Sequence, residues 1–191
     1  MAKTYADQTG QPTPVDSRAW SQILISLLVG INGRARQKGS DLLDGSDVKS
    51  ANTWGAIDKP RFNGVIKSGT QSNASGNMAS LDSMPYLFFV LWDNEPTTTH
   101  ERVRVWVVRT QQDVEFRGIC ETWYRLRDVG IIKSDNFQLH PPINKNTDVF
   151  TSDRGNLNYP LLLNALWNGA RYEILRYNSD VLTNGQCTRV F

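Results

Sequence analysis

The segment Tyr86-Leu87-Phe88-Phe89-Val90-Leu91-Trp92 runs unbroken between Pro85 and Asp93. Side chains of a strand alternate between its two faces, so a strand that is apolar at every position has to be covered on both sides. That places residues 86–92 in the middle of a sheet with other elements above and below. Glu101 to Arg109 reads as the partner strand, with Asn94 to Thr99 as the exposed connection. In it Val103, Val105 and Val107 alternate with Arg102, Arg104 and Trp106, which predicts one packed face and one wet face.

Helical spacing appears on either side of this pair. Asp16 is an N-cap candidate for a helix from Ser17 to Asn32, with Trp20, Ile23, Leu24, Leu27, Leu28 and Ile31 on its buried face and Gly30 and Gly33 weakening its end. A second helix is expected from Gln112 to Arg127 through Val114, Phe116, Ile119, Cys120, Trp123 and Leu126. A third is expected from Pro160 to Asn168 through Leu161, Leu162, Ala165 and Leu166, followed by a strand over Tyr172–Tyr177. Residues 1–15 read as an irregular arm. Asn52 to Met84, rich in Gly, Ser and Asn, reads as irregular, anchored by Trp54, Ile57, Phe62, Val65 and Ile66. Trp20, Trp92 and Trp123 fall on apolar faces, whereas Trp54 and Trp106 lie where exposure is expected.

The 191 residues suffice for one well-formed core, and the expectation is a single domain over 1–191: a mixed α/β (α+β) fold with a central mixed sheet flanked by helices. No apolar run approaches membrane-spanning length, and the N-terminal residues lack the apolar core of a signal peptide, so a cytoplasmic location is the default expectation. Cys120 and Cys187 with His100 and His140 form no Cys/His spacing, which argues against structural zinc and against an HNH nuclease. A net charge of +2 argues against a polybasic DNA binder of the histone kind.

Chemistry concentrates in Asp41-Leu42-Leu43-Asp44-Gly45-Ser46-Asp47-Val48-Lys49. Asp-Gly between alternating residues is a strong hairpin signal. With Leu43, Asp44 and Gly45 as the loop and Gly45 left-handed, Asp41 falls opposite Asp47 and Lys49 projects from the same face. Like charges facing each other need a compensating ion, and Mg²⁺ takes its oxygen ligands from one or two carboxylates, water and phosphate. Asp44, in a position where turns favour Asp, stands in reserve as an alternative first acid.

Asp41 followed by Asp47-Val48-Lys49-Ser50-Ala51 resembles the PD-(D/E)XK signature of type II restriction endonucleases, an acid preceding an acid-x-lysine triplet on neighbouring strands. Ser40 stands where the signature has proline, and the Asp41 to Asp47 gap is short. The order helix, acidic hairpin, apolar strand, second strand, helix is similar to that family's core. The resemblance implies a Mg²⁺-dependent, sequence-specific endonuclease acting on double-stranded DNA as a homodimer, with Asp41, Asp47 and Lys49 catalytic and Asp41, Asp47 and Val48 at the metal. A repair or structure-specific nuclease of the same fold, or a DNA-binding protein that keeps the hairpin as scaffold, is the alternative.

Basic residues flank the motif: Arg34, Arg36 and Lys38 before it, and Lys59, Arg61 and Lys67 after it, placed to contact phosphates. Two polar tracts could read bases, Ser68 to Asn77 and Asn144 to Asn158. In the second, Lys145 and Arg154 suit guanine, while Asn146 and Asn156 suit adenine. Gln22, on the preceding helix, occupies roughly the place from which members of the family that the chain resembles sometimes supply a further metal or water contact, but its position reads as the solvated helix face; His140 before Pro141-Pro142 reads as structural.

Overall fold

The computed structural model describes residues 2–11, 16–34, 39–54, 58–66 and 78–191. Its centre is the two-faced strand expected from the sequence, β2 (Tyr86–Asn94), flanked by β1 (Asp47–Asn52) and β3 (Glu101–Arg109). With β6 (Leu161–Trp167) and β7 (Tyr172–Tyr177) these form a sheet ordered β1-β2-β3-β6-β7. β1 runs parallel to β2 and all other neighbours are antiparallel, so the sheet is mixed. The fold is mixed α+β and restriction-endonuclease-like, as the sequence suggested.

Both faces of β2 are buried because the sheet separates two cores. Leu87, Phe89 and Leu91 pack with Trp106, Val108, Phe150, Tyr159 and the apolar side of α4 (Val114–Asp128). Phe88 and Val90 point the other way, to Val103, Val105, Val107, Leu162 and Ile25 of α2 (Ser17–Val29). Asp16 caps α2 as expected, its carboxylate accepting from Ala19 N at 3.0 Å, and Gly30 ends the helix in the left-handed region. Asp113 caps α4 in the same way. Cys120 and Cys187 are both buried and free.

Several expectations are corrected. Residues 2–9, expected to be irregular, form helix α1 (Ala2–Thr9), which buries Ala6 and packs beside α2. The expected helix over 160–168 is strand β6. Its run is short and apolar on both sides, a pattern that periodicity alone does not assign, and pairing with β3 on one side and β7 on the other settles it. Trp20 and Leu27 are 39% and 52% exposed, while Ser21, Gln22 and Ser26 of the same helix are buried. Trp106, expected to reach solvent, is wholly buried, and Trp54 is exposed. The tract 144–158 is not a plain loop: β4 (Val149–Phe150) and β5 (Asn156–Asn158) lie in a second sheet with β8 (Thr188–Val190). Two short helices, α3 (Ala79–Asp82) and α5 (Val181–Asn184), complete the described elements. Ile57 and the tract 68–77 lie outside the described residues.

The face of β3 expected to be wet is dry, and an ion cluster makes that tolerable. Arg102 grips Asp93 through two bonds, Nε to Oδ1 at 2.7 Å and Nη2 to Oδ2 at 2.9 Å. Arg104 Nη2 reaches the same Oδ2 at 2.8 Å. Five further guanidinium bonds go to Asn146 Oδ1 and to the carbonyls of Pro142, Lys145 and Thr147, which lashes residues 142–147 over the end of the sheet. Burial pulls the Arg104 pKa down to about 10, which leaves it charged at neutral pH. Two buried guanidinium groups thus depend on one carboxylate. Asp93→Asn is expected to destabilise the fold by about 3–5 kcal/mol, because it leaves buried charge uncompensated; urea unfolding measures it, and a loss below about 1 kcal/mol would contradict the cluster's role.

Candidate active site

Helix α2 lies close on β1 because the seam between them is built from small polar side chains. Ser21 Oγ meets Ser50 Oγ at 2.9 Å, and Asn52 Nδ2 donates to Ser17 Oγ at 2.7 Å. Ala19, Gln22, Ile23 and Ser26 are all buried, and their i, i+3, i+4, i+7 spacing defines one helix face. That spacing was the signal available for Gln22, which the sequence pattern assigned to the solvated face. It is 8% exposed and donates from Nε2 to Asp41 Oδ1 at 2.6 Å.

The turn between α2 and β1 is assembled from its own residues. Leu42 is fully buried and anchors it. Leu42 N donates to Ser46 O at 3.1 Å and Gly45 N to Leu42 O at 3.2 Å. Gly45 takes φ +98°, where a Cβ would also come within 3.0 Å of Ser83 O, so glycine is needed on both counts. Asp44 accepts from Ser46 N and Ser46 Oγ at 2.9 and 2.8 Å, the work of a turn residue.

The expected two-stranded hairpin does not form across this turn. Residue 42 bridges to Gly33 instead, and β1 pairs in parallel with β2. Past the Leu42–Ser46 bond, the Asp41 side chain takes the place of a backbone partner: its Oδ2 accepts from Val48 N at 3.0 Å. Asp41 and Asp47 nevertheless meet, and Lys49 Nζ lies 2.6 Å from Asp47 Oδ2. The three side chains named from the motif converge at the start of an edge strand.

Their electrostatics arise from crowding. Burial pushes the Asp41 carboxyl up to about 7; a hydrogen bond with Asp47 and repulsion by its charge push the same way, against the Val48 N–H and the Lys49 ammonium. The pair thus holds a proton where a cation could relieve the same repulsion. Among the described residues no group of three or more His, Cys, Asp or Glu side chains gathers around a point. Mg²⁺ needs only one or two carboxylates when water and phosphate oxygens complete its shell, so the pair fits it.

The residues expected to touch DNA are not gathered at one place. Arg34 Nη2 donates to Leu43 O at 3.3 Å, on the same turn. Arg36 and Lys38 lie outside the described residues. Lys59 and Arg61 stand near His140, where with burial they lower its pKa while Asp153 opposes them. Arg154, half-buried, follows Asp153 in sequence, and Asn156 is exposed on β5. Lys145 is exposed, although its carbonyl holds Arg102 and Arg104. The Asn146 amide is engaged at both ends, by Arg102 and by Glu95 at 2.9 Å.

A mixed sheet with a carboxylate pair and a lysine at the head of its edge strand places the chain in the restriction-endonuclease-like class. Residues 4–166 match the family model described as MamI restriction endonuclease, and the chain belongs to that family. The type II restriction enzyme MamI of Microbacterium ammoniaphilum is 32% identical to it over 173 residues, which covers 85% of this chain and 55% of that enzyme. The chain spans about half the length of this curated relative. No solved structure matches it. Among the described residues, no helix is long and apolar enough to cross a membrane.

The raised Asp41 pKa has a signed consequence for stability. The folded state holds this proton more tightly than the unfolded chain, whose value is near 3.8. The contribution is therefore fully present below pH 3.8 and is lost as pH rises through about 7. In EDTA, the melting temperature of the wild type is expected to fall between about pH 5 and about pH 8 by more than that of Asp41→Asn, and Mg²⁺ should recover more of it at the higher pH. Equal falls in the two proteins would contradict the shared-proton pair.

Proposed function

We propose that this chain is a Mg²⁺-dependent, sequence-specific double-stranded DNA endonuclease of the PD-(D/E)XK kind. The observation that carries the reading is the convergence of Asp41, Asp47 and Lys49 on one edge strand, supported by the family match and by the MamI relative, a type II restriction enzyme. Asp41 and Asp47, with the main-chain carbonyl of Val48, are the groups that would hold Mg²⁺. When bound, that ion supplies Lewis-acid polarisation of the scissile phosphate and a more acidic water. Asp41 keeps its orientation through Gln22 Nε2 and Val48 N, so the burial that raises its proton affinity also fixes its geometry. Lys49 brings a positive charge to the same face, where it steadies the attacking water and offsets charge gathering on the phosphate.

Around this centre, Arg34, Arg36, Lys38, Lys59 and Arg61 are the candidate phosphate contacts. Lys145, Arg154 and Asn156 are candidates for reading base edges. Asn146 joins them only by releasing Arg102 or Glu95. One catalytic centre per chain cuts one strand, so a homodimer belongs to the reading, matching a two-fold site with a two-fold protein.

Incubation of plasmid DNA with the protein and Mg²⁺ is expected to give a defined ladder of fragments. Asp47→Ala and Lys49→Ala should each lower cleavage by at least roughly 100-fold while binding to the same DNA in Ca²⁺ persists. Undiminished cleavage by either variant would remove these residues from the centre, and a smear in place of a ladder would favour a non-specific or repair nuclease.

A further inference from the structure

β7 is the edge of the main sheet farthest from the catalytic residues, and among the described residues no strand pairs with its outer side. An unpaired strand edge offers a row of backbone donors and acceptors to another strand, and proteins usually blunt it with proline, lysine or a cover. β7 has no proline or lysine, only one charge of each sign and a bulge: its sequence is Tyr-Glu-Ile-Leu-Arg-Tyr, and Ile174, Leu175 and Tyr177 are 64%, 58% and 46% exposed.

The register of β7 on β6 explains how that sequence matches itself. Glu173 pairs with Leu166, Ile174 with Ala165, Arg176 with Asn164 and Tyr177 with Leu163, so Leu175 is an extra residue at a bulge. Partners in a ladder share a face of the sheet. Tyr172, Ile174 and Tyr177 therefore share one face with Trp167, Ala165 and Leu163, while Glu173 and Arg176 share the other with Leu166 and Asn164. Without the bulge, residues 173 and 176 would lie on opposite faces. With it, the strand reads the same from either end: aromatic, charged, aliphatic, charged of opposite sign, aromatic.

We propose that β7 is a self-association surface whose occupant is β7 of a second copy of this chain, paired antiparallel about a two-fold axis at Ile174 and Leu175. Tyr172 then faces the partner's Tyr177, Glu173 faces the partner's Arg176, and both pairs occur twice. The aliphatic pair at the centre leaves water, and the two sheets become one of ten strands. β1 lies at the opposite edge, so the two catalytic edges stay uncovered at the ends of the joined sheet, roughly 40 Å apart at about 4.8 Å per strand. This surface is therefore distinct from any contact that brings two centres onto one cleavage site.

Sedimentation equilibrium of the full chain, without DNA or metal, tests the pairing. An association through β7 is expected, giving twice the 21.6 kDa chain mass by itself and four times that mass where the cleavage homodimer forms as well, and the charge-reversed variants read which part of it β7 supplies. Arg176→Glu and Glu173→Arg each set like charges opposite one another twice, and each should weaken association by about tenfold or more. The double variant, with the two charges exchanged, should restore it, and thermal melts confirm that all three variants fold. A monomeric wild type, a dimer indifferent to both single reversals, or a double variant that fails to recover would each overturn the proposal. The masses are read without DNA, so the outcome is independent of whether the chain cleaves it.

Discussion

One carboxylate ties the candidate catalytic end of this protein together. Asp41 accepts from Gln22 of α2 through one oxygen and from Val48 of β1 through the other, while its carbonyl accepts from Arg34 N at 3.0 Å. Helix, turn and strand thus meet on one side chain. The environment that makes these bonds strong also disfavours the charge, because a carboxylate out of water and against a second carboxylate holds its proton more tightly. The arrangement is conflicted as a bare anion pair and settled once a proton or a cation lies between the groups. Such conflicts concentrate where function is carried out, and here the conflict sits on the elements that position Lys49.

The ion cluster at the other end of β2 solves a different problem by related means. Two arginines point into the interior, and Asp93 with a ring of carbonyls receives them. Here the partners are internal, one carboxylate and several carbonyls that take up most of the guanidinium donors, so the cluster closes the fold. At the Asp41 and Asp47 pair the compensating charge is only partly supplied, by Lys49. That difference, between cations held by partners inside the chain and an anion pair left to an outside partner, separates a structural network from a candidate site.

How much the sequence disclosed depends on how local each signal is. The two-faced strand, the Asp16 cap and the left-handed Gly45 depend on a few adjacent residues, and all three are present. The assignment of Arg102 and Arg104 to solvent failed because their burial depends on Asp93 and on carbonyls some forty residues onward, which no alternation of polar and apolar residues encodes. Residues 160–168 failed for the reason that a short apolar run fits a helix or a central strand, and only the neighbours decide. The burial of Gln22 was missed because large apolar side chains were taken to define the buried face of α2. The strand beneath instead accepts a close helix, which favours Ala19, Ser21 and Ser26 and leaves Trp20 outside.

The modest net charge of +2 is compatible with a DNA substrate once the local charge is considered. On the proposed reading, Asp41 and Asp47 ionised beside one lysine present a negative patch, which repels a phosphodiester. A divalent cation on the pair reverses the sign of that patch at the point where the backbone must come closest. The largest charge in such a site is the ion's own, and it governs approach as well as chemistry. The flanking basic residues then need only hold the duplex on either side, which a few lysines and arginines can do without making the whole chain strongly positive. Placing the acids at the head of an edge strand fits this reading: the outer side of β1 carries no neighbouring strand among the described residues, and that is the side from which the proposed duplex would come to the pair.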